Sequence, residues 1–308
     1  MHVTLLLDDP LADRARLSAD LAARGFEARW ADGPVPASGA PVEVLLTVTR
    51  PVDAALLARH PALKLVCVAF TGHDHVDRDA CRARGIAVCN VPEYATAATA
   101  ELALGLALAL LRGIPRADRQ LHALEWRPEA GRELAGKTVG LLGLGRIGCH
   151  AARLFQATGC RVLGWSRSDS AAFRELGGQQ VARLEQLLEA ADILSLHLPL
   201  TAQTRACIGA REIACLKPSA LLVNVARGAL LDAGALYSAL QERRIAGAAL
   251  DVYEREPFAG EPPFHQLENV ILLPHLGFRT REALERRWQE SLANLEAFER
   301  GTPRHQLA

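Results

Sequence analysis

The chain has 308 residues and a mass of 33.2 kDa, with half its residues apolar and 23% charged. Lys plus Arg number 35 and Asp plus Glu number 35, so the formal net charge is zero. Such a composition excludes a disordered chain and a general electrostatic grip on nucleic acid or an anionic membrane. Only 5% of residues are aromatic, which argues against a base-stacking surface.

The length predicts about two domains. An apolar run over 3–7 predicts a strand; with no basic segment before it and Asp8 and Asp9 after it, it does not read as a secretory signal. A helix is predicted over 10–24, closed by Gly25. Then follow a strand over 43–46, a helix over 52–59, a strand over 63–68, a helix over 76–84 and a strand over 86–89. The first ninety residues thus read as a small doubly wound α/β unit.

Residues 95–111 are the most membrane-like stretch, but Glu101, Thr96 and Thr99 interrupt it. Its apolar part, 102–111, is about half a bilayer span, so it reads as a buried helix. The segment 112–115 should break it, with a second helix over 116–124. Six apolar runs follow at 138–142, 161–165, 193–196, 221–225, 247–252 and 270–273. They read as parallel strands covered on both faces, the count of a complete dinucleotide fold. A last helix is expected over 281–300, packing on the first unit. The seven cysteines are odd in number and form no C-x-x-C, which fits reduced thiols in the cytoplasm better than a disulfide framework or zinc site.

The strongest local motif is the G-x-G-x-x-G of Gly143, Gly145 and Gly148, between a predicted strand and a helix over 149–158. Gly143 permits the tight turn, Gly145 lets a pyrophosphate approach the backbone, and Gly148 lets helix and strand pack closely. The helix N-terminus offers N–H donors and partial positive charge. At the end of the second strand, where NAD sites usually carry a carboxylate, stand Ser166, Arg167 and Ser168; Asp169 comes too late. Arg167 suits a 2′-phosphate as a planar fork, so NADP is expected in preference to NAD. The alternative is an exposed arginine beside an NAD-tolerant site.

Three later strand ends carry polar residues: Asn224 to Asp232, Asp251 to Glu256-Pro257, and Pro274-His275-Leu276-Gly277. Hydride transfer to a 2-oxo acid needs a cation for the carboxylate, an acid for the developing alkoxide, and a group that orients that acid. Arg227, His275 and Glu256 are the matching residue types. His73-Asp74-His75 resembles a metal cluster by type, but no third ligand is evident nearby and no metal is expected.

With Phe70-Thr71-Gly72 and Thr99-Ala100-Glu101, these motifs stand in one order along nearly the whole chain. In that order and spacing, the sequence resembles the D-isomer-specific 2-hydroxyacid dehydrogenase family, of the glyoxylate/hydroxypyruvate reductase kind. The resemblance implies an α/β chain of two doubly wound domains. One is a Rossmann NAD(P)-binding domain over 97–277; the other is a smaller flavodoxin-like substrate domain over 1–96 and 278–308.

It further implies that Arg227 binds the substrate carboxylate, His275 exchanges the proton and Glu256 orients His275. Backbone N–H groups around Thr71 and Gly72 would cradle the carboxylate. Asp251 would hold the nicotinamide carboxamide, Arg146 and Ile147 would meet the pyrophosphate, and Val225, Ala226 and Gly277 would line the cofactor site. A cleft between the domains would close on substrate.

Three departures from the family pattern bear on the pocket: Glu93 stands where Gly is common, and Phe278 and Arg279 stand where small residues are common. Residues 46–49 offer no cation for a substrate phosphate, although Arg50 is adjacent. The expected substrate is therefore a small unphosphorylated 2-oxo acid such as glyoxylate or hydroxypyruvate, with pyruvate or a bulkier acid left open. The helices over 97–124 with Trp126 are expected to form a homodimer surface. The competing readings are a dinucleotide-sensing corepressor and a phosphite or formate dehydrogenase relative.

Overall fold

The computed structural model describes residues 2–6, 13–31, 41–258 and 264–308. The chain divides into two units, Met1–Ala95 with Arg281–Ala308, and Thr96–Thr280. The first unit opens with β1 (His2–Leu6), α1 (Arg14–Ala22), β2 (Glu27–Trp30), β3 (Val44–Thr47), α2 (Ala54–Arg59), β4 (Leu65–Val68), α3 (Arg78–Ala83) and β5 (Ala87–Asn90). The second holds α4 (Thr96–Arg112), α5 (Ile114–His122), β6 (Thr138–Leu142), α6 (Arg146–Ala157), β7 (Arg161–Trp165), α7 (Ala171–Glu175) and β8 (Gln179–Gln180). It continues with α8 (Leu184–Ala190), β9 (Ile193–Leu196), α9 (Ala210–Ala214), β10 (Leu221–Asn224), α10 (Ala233–Gln241), β11 (Gly247–Leu250) and β12 (Val270–Leu272). The final helix, α11 (Arg281–Glu299), belongs to the first unit.

Both sheets are parallel throughout. The first runs β2-β1-β3-β4-β5, the flavodoxin-like order; the second runs β12-β11-β10-β9-β6-β7-β8. In the second, the order reverses between β6 and β9, so the loop leaving β6 opens at a topological switch point. The central strands β9, β10 and β11 are buried at every residue, the consequence of helices on both faces.

Sequence pattern and local chemistry agree at the helix starts. Asp53, Asp77, Ser170 and Asp232 each accept a backbone N–H from the first turn of α2, α3, α7 and α10. Each such cap is worth about 1 kcal/mol. α4 presents Ala100, Ala103 and Ala107 to its core, and these small side chains let it lie against α6, β10 and β11. No single described helix is long and apolar enough to cross a membrane; α4 and α5 meet the composition only as a pair bent by 61°. α11 packs on β4 and β5, and its Asn294 Nδ2 donates to the Asn90 carbonyl at 2.8 Å.

Several expectations need correction. β2 is absent from the predicted elements because it is an edge strand whose residues, Glu-Ala-Arg-Trp, are all at least partly exposed. β8 has only two polar residues and leaves no apolar run, yet it fills the third-strand place of the dinucleotide fold. The second sheet therefore has seven strands rather than the six expected, β8 being the addition. α5 starts at Ile114, not 116, because Pro115 falls in its first turn, where a missing N–H costs nothing. α6 starts at Arg146, immediately after Gly145. Residue 7 of the first predicted strand and residues 10–12 of the first predicted helix lie outside the described residues.

Candidate active site

The glycine loop joins β6 to α6. Gly143 has φ +106°, and a β-carbon there would lie 2.6 Å from the His197 carbonyl carbon. One at Gly148 would lie 2.1 Å from the Gly143 oxygen. Both positions therefore exclude a side chain. A β-carbon at Gly145 would meet nothing within 4 Å. Gly145 is also the N-cap of α6, with no side-chain cap and no acidic residue in the first turn. Open space above an uncapped helix start is what a pyrophosphate requires, and these residues fit a dinucleotide.

After β7 the chain turns through Ser166, Arg167 and Ser168. The Ser166 hydroxyl donates to the Ser168 carbonyl at 2.6 Å, and Gln180 Nε2 donates to the same carbonyl at 3.1 Å. Arg167 is exposed, and Asp169, the nearest carboxylate in sequence, is held by Arg174. The turn thus presents a cation and no uncompensated acid.

Arg227 follows the C-terminal end of β10. Asn224 shapes that exit: its Oδ1 accepts from Ala226 N–H at 3.0 Å and its Nδ2 donates to the Arg227 carbonyl at 2.9 Å. The half-buried Arg227 side chain also donates to the Ala226 carbonyl at 2.8 Å. A 3-10 turn, Gly228–Leu230, leads on toward α10.

Asp251, fully buried after β11, clamps the loop that bears His275. Its carbonyl accepts from His275 N–H at 2.9 Å. Its carboxylate accepts from Leu276 N–H at 2.6 Å and Gly277 N–H at 2.8 Å. These bonds hold His275 at φ +56°, a left-handed conformation that histidine adopts only when its surroundings dictate it. Thr99 on α4 adds a buried hydrogen bond to the Gly277 carbonyl at 3.0 Å. Burial pushes the Asp251 carboxyl upward against the opposing pull of the two N–H donors.

His275 Nδ1 lies 2.6 Å from Glu256 Oε2. The other carboxylate oxygen accepts from Tyr253 N–H, also at 2.6 Å, so Glu256 is fixed at both oxygens. Burial raises the Glu256 carboxyl, but the His275 bond and charge, the Tyr253 N–H and the Arg227 charge outweigh it. The carboxyl is held below the usual carboxylate range. The Tyr253 phenol is pushed up to about 12, by burial and then by Asp251 and Glu256. The Glu256-Pro257 peptide bond is cis. The Phe278 ring meets the His275 imidazole edge-on, with centroids 5.2 Å apart and planes at 84°.

The structure thus brings Glu256 and His275 into contact and Arg227 within electrostatic reach of Glu256, at the edge of the sheet from which the glycine loop leaves. Asp251, Gly277, Val225 and Ala226 stand at the same strand ends. Thr71 and Gly72 lie in the first unit, on the segment after β4, where Thr71 Oγ1 donates to the Val91 carbonyl at 3.2 Å. A cavity of about 440 Å³ adjoins the Glu256 segment, lined by Gly228, Tyr253, Pro257 and Phe258 among others. It takes none of the three charged side chains into its lining. Among the described residues, no group of three or more His, Cys, Asp or Glu could hold a metal ion.

Asn224 and the Tyr253 N–H received no role from sequence, and Phe278 was expected only to bear on the pocket. Asn224 had a signal: an Asx residue at a strand end, three positions before the arginine. Phe278 had one as a departure from a family pattern, but its contact with His275 was not readable.

A family model for the D-isomer specific 2-hydroxyacid dehydrogenase NAD binding domain matches residues 104–277. The chain belongs to the D-isomer-specific 2-hydroxyacid dehydrogenase family. It is 39% identical over 288 residues to a glyoxylate reductase of Thermococcus litoralis, covering 88% of this chain and 87% of that one. It is 41% identical over 263 residues to a glyoxylate reductase of Aeropyrum pernix, covering 82% and 78%. Among solved structures, it matches the NADPH-dependent glyoxylate/hydroxypyruvate reductase of Sinorhizobium meliloti, in complex with NADP and malonate. There the TM-score is 0.89 at 30% identity, with 100% of this chain and 96% of that one covered. The protein is an oxidoreductase linking a nicotinamide dinucleotide to the interconversion of 2-oxo acids and D-2-hydroxy acids.

Proposed function

We propose that this dehydrogenase reduces a small unphosphorylated 2-oxo acid, glyoxylate or hydroxypyruvate, prefers NADPH to NADH, and works as a cytoplasmic homodimer. The observation that carries the chemistry is the 2.6 Å bond between His275 and Glu256 with the Arg227 charge nearby.

A bound reduced nicotinamide supplies the hydride to the carbonyl carbon. Arg227 binds the substrate carboxylate and polarises the 2-oxo group. His275 has Nδ1 committed to Glu256, so Nε2 is the nitrogen assigned to the substrate oxygen. It gives its proton there during reduction and takes it back during oxidation. Glu256 orients the imidazole and favours its charged form by opposite charge. Thr71 and Gly72 are assigned backbone contacts to the carboxylate.

On the cofactor side, Gly143, Gly145, Arg146, Ile147 and Gly148 hold the pyrophosphate. Ser166, Arg167 and Ser168 take the 2′-phosphate. Val225, Ala226 and Gly277 line the nicotinamide half, where Asp251 holds the carboxamide. The NADPH preference rests on Arg167 being exposed while Arg174 holds Asp169.

The seven free cysteines suit a reducing compartment. For the homodimer, α5 and the segment after it expose Ile114, Leu121, Leu124 and Trp126, at 53%, 56%, 93% and 82%. Such an apolar surface suits a second copy of the chain. Sedimentation should give a mass near twice 33.2 kDa; a clean monomer at micromolar concentration rejects this part of the proposal.

The deciding assay is a panel of 2-oxo acids with NADPH and NADH, followed at the nicotinamide absorbance. Glyoxylate or hydroxypyruvate should give the highest kcat/KM. A strong NADH preference overturns the reading of Arg167. His275→Ala should lower kcat at least about a hundredfold while the dinucleotide still binds; near wild-type turnover overturns the assignment of the acid.

A further inference from the structure

A second cavity, of about 200 Å³, lies in the same unit at the opposite edge of the sheet. Leu221, Gly247 and Val270 line it, the first residues of β10, β11 and β12. The proposed catalytic residues stand at the other ends of these strands, roughly a four-residue strand length or about 13 Å away. The cavity is therefore separate from the site described above.

Four arginines line it: Arg116 and Arg119 of α5, Arg132 from the following segment, and Arg243 in the turn after α10. One acid, Glu268, joins them, and among the described residues it forms no ion pair with any of the four. Arg116 is held by Glu129, and Arg132 donates to the Ser219 carbonyl at 2.8 Å. Among the described residues, the side chains of Arg119 and Arg243 have no hydrogen-bond or ion-pair partner.

The helix start at this cavity adds to the positive field. Gly113, Pro115 and Arg116 of the α5 start are in the lining; Gly113 provides no side-chain cap, and the first turn holds no acid. An arginine in the first turn of a helix lies at the wrong end of its dipole. Arg243 adopts a left-handed φ of +56°, uncommon for a residue other than glycine. Locally unfavourable choices that converge on one cavity mark a place where something other than folding set the sequence. Guanidinium groups and a positive helix end are the donor set for phosphate oxygens.

We propose that this cavity is a binding site for a compact phosphate-bearing polyanion, distinct from the dinucleotide and substrate sites. Arg119 and Arg243 are its principal ligands, Arg116 and Arg132 its fixed walls. The inference does not depend on the roles given to Arg227, Glu256 and His275.

The test is isothermal titration with pyrophosphate at matched ionic strength. The enzyme is first saturated with reduced dinucleotide, so that the glycine loop is already filled. The wild type should bind one equivalent saturably. The double variant Arg119→Ala/Arg243→Ala should bind about tenfold more weakly or worse, with kcat/KM for the 2-oxo acid unchanged. Both side chains are exposed, so the variant keeps its core; the charge reversal Arg119→Glu, made in parallel, should abolish binding. Absence of saturable binding in the wild type overturns the proposal. So does binding that survives both substitutions, because the ion then sits elsewhere.

Discussion

Gly228 lies so close to Tyr253 that a β-carbon added to Gly228 would stand 2.0 Å from the Tyr253 carbonyl carbon and 2.4 Å from Glu254 N. The turn that carries Arg227 is thereby pressed against the segment whose Tyr253 N–H fixes Glu256. Backbone meets backbone, so no flexible side chain can yield. Gly228→Ala should push the Glu256 segment away from His275 while leaving the glycine loop untouched. The expected result is a folded protein, destabilised by about 1–3 kcal/mol, that binds dinucleotide normally. Its kcat/KM should fall about a hundredfold. Steady-state kinetics beside a cofactor fluorescence titration measure both effects; an alanine variant with unchanged kcat/KM refutes the coupling.

Glu256→Gln keeps the shape of the His275 partner but removes its charge. The wild-type carboxyl is held below the usual carboxylate range, so Glu256 stays ionised as pH falls through that range, and its pair with His275 persists there. The amide can still meet His275 Nδ1, but it offers no negative charge to the imidazole while the proton is exchanged with substrate. The variant should lose about ten- to a hundredfold in kcat. Its affinity for the dinucleotide should be unchanged. A kcat equal to the wild type's contradicts the role given to Glu256.

Phe278 is 7% exposed and braces the imidazole, and the Arg279 guanidinium lies 5.0 Å from the centre of the phenyl ring. Phe278→Leu conserves most of the buried volume while removing the aromatic edge. An aromatic pair is worth about 0.5–1.5 kcal/mol, so kcat should fall by up to about tenfold with KM little changed. Phe278→Tyr should restore most of the rate. A change confined to KM would instead place Phe278 on the substrate.

Much of the second unit was legible because its strands are continuous apolar runs and its loop is rich in glycine. β2 and β8 were not legible, for they sit at sheet edges with half their chemistry in water. The start of α5 was misplaced because Pro115 reads as a breaker, although it is tolerated in a first turn.

At the candidate site, residue types at strand ends pointed to Arg227, Glu256 and His275, because each type is chemically distinctive. Their supports were harder to see. Asp251 shows why. Its carboxylate is taken by the backbone N–H groups of Leu276 and Gly277, and a backbone partner leaves no mark on residue identity. Nothing in the sequence sets Gly228 apart from a turn glycine, since the atoms that exclude a side chain there come from Tyr253 and Glu254, far along the chain.

His197 gives the last prediction, on stability. It follows β9 beside the glycine loop, with Nε2 2.9 Å from Ser195 Oγ and Nδ1 buried without a partner. Burial lowers its pKa from 6.5 to about 4. In the unfolded chain the ring takes a proton below about pH 6.5; in the folded protein it stays neutral until about pH 4. Between these values the unfolded state binds more protons, so stability is fully present above the upper value and is lost as the pH falls toward the lower one. The loss amounts to at most roughly 3 kcal/mol. Carboxylates add their own acid dependence, so the informative quantity is a difference. His197→Gln, which keeps a partner for Ser195 but does not titrate, should show a shallower decline. Urea denaturation of both proteins at pH 7.5 and pH 5 measures it. Equal losses over that interval would mean that His197 takes up its proton without unfolding.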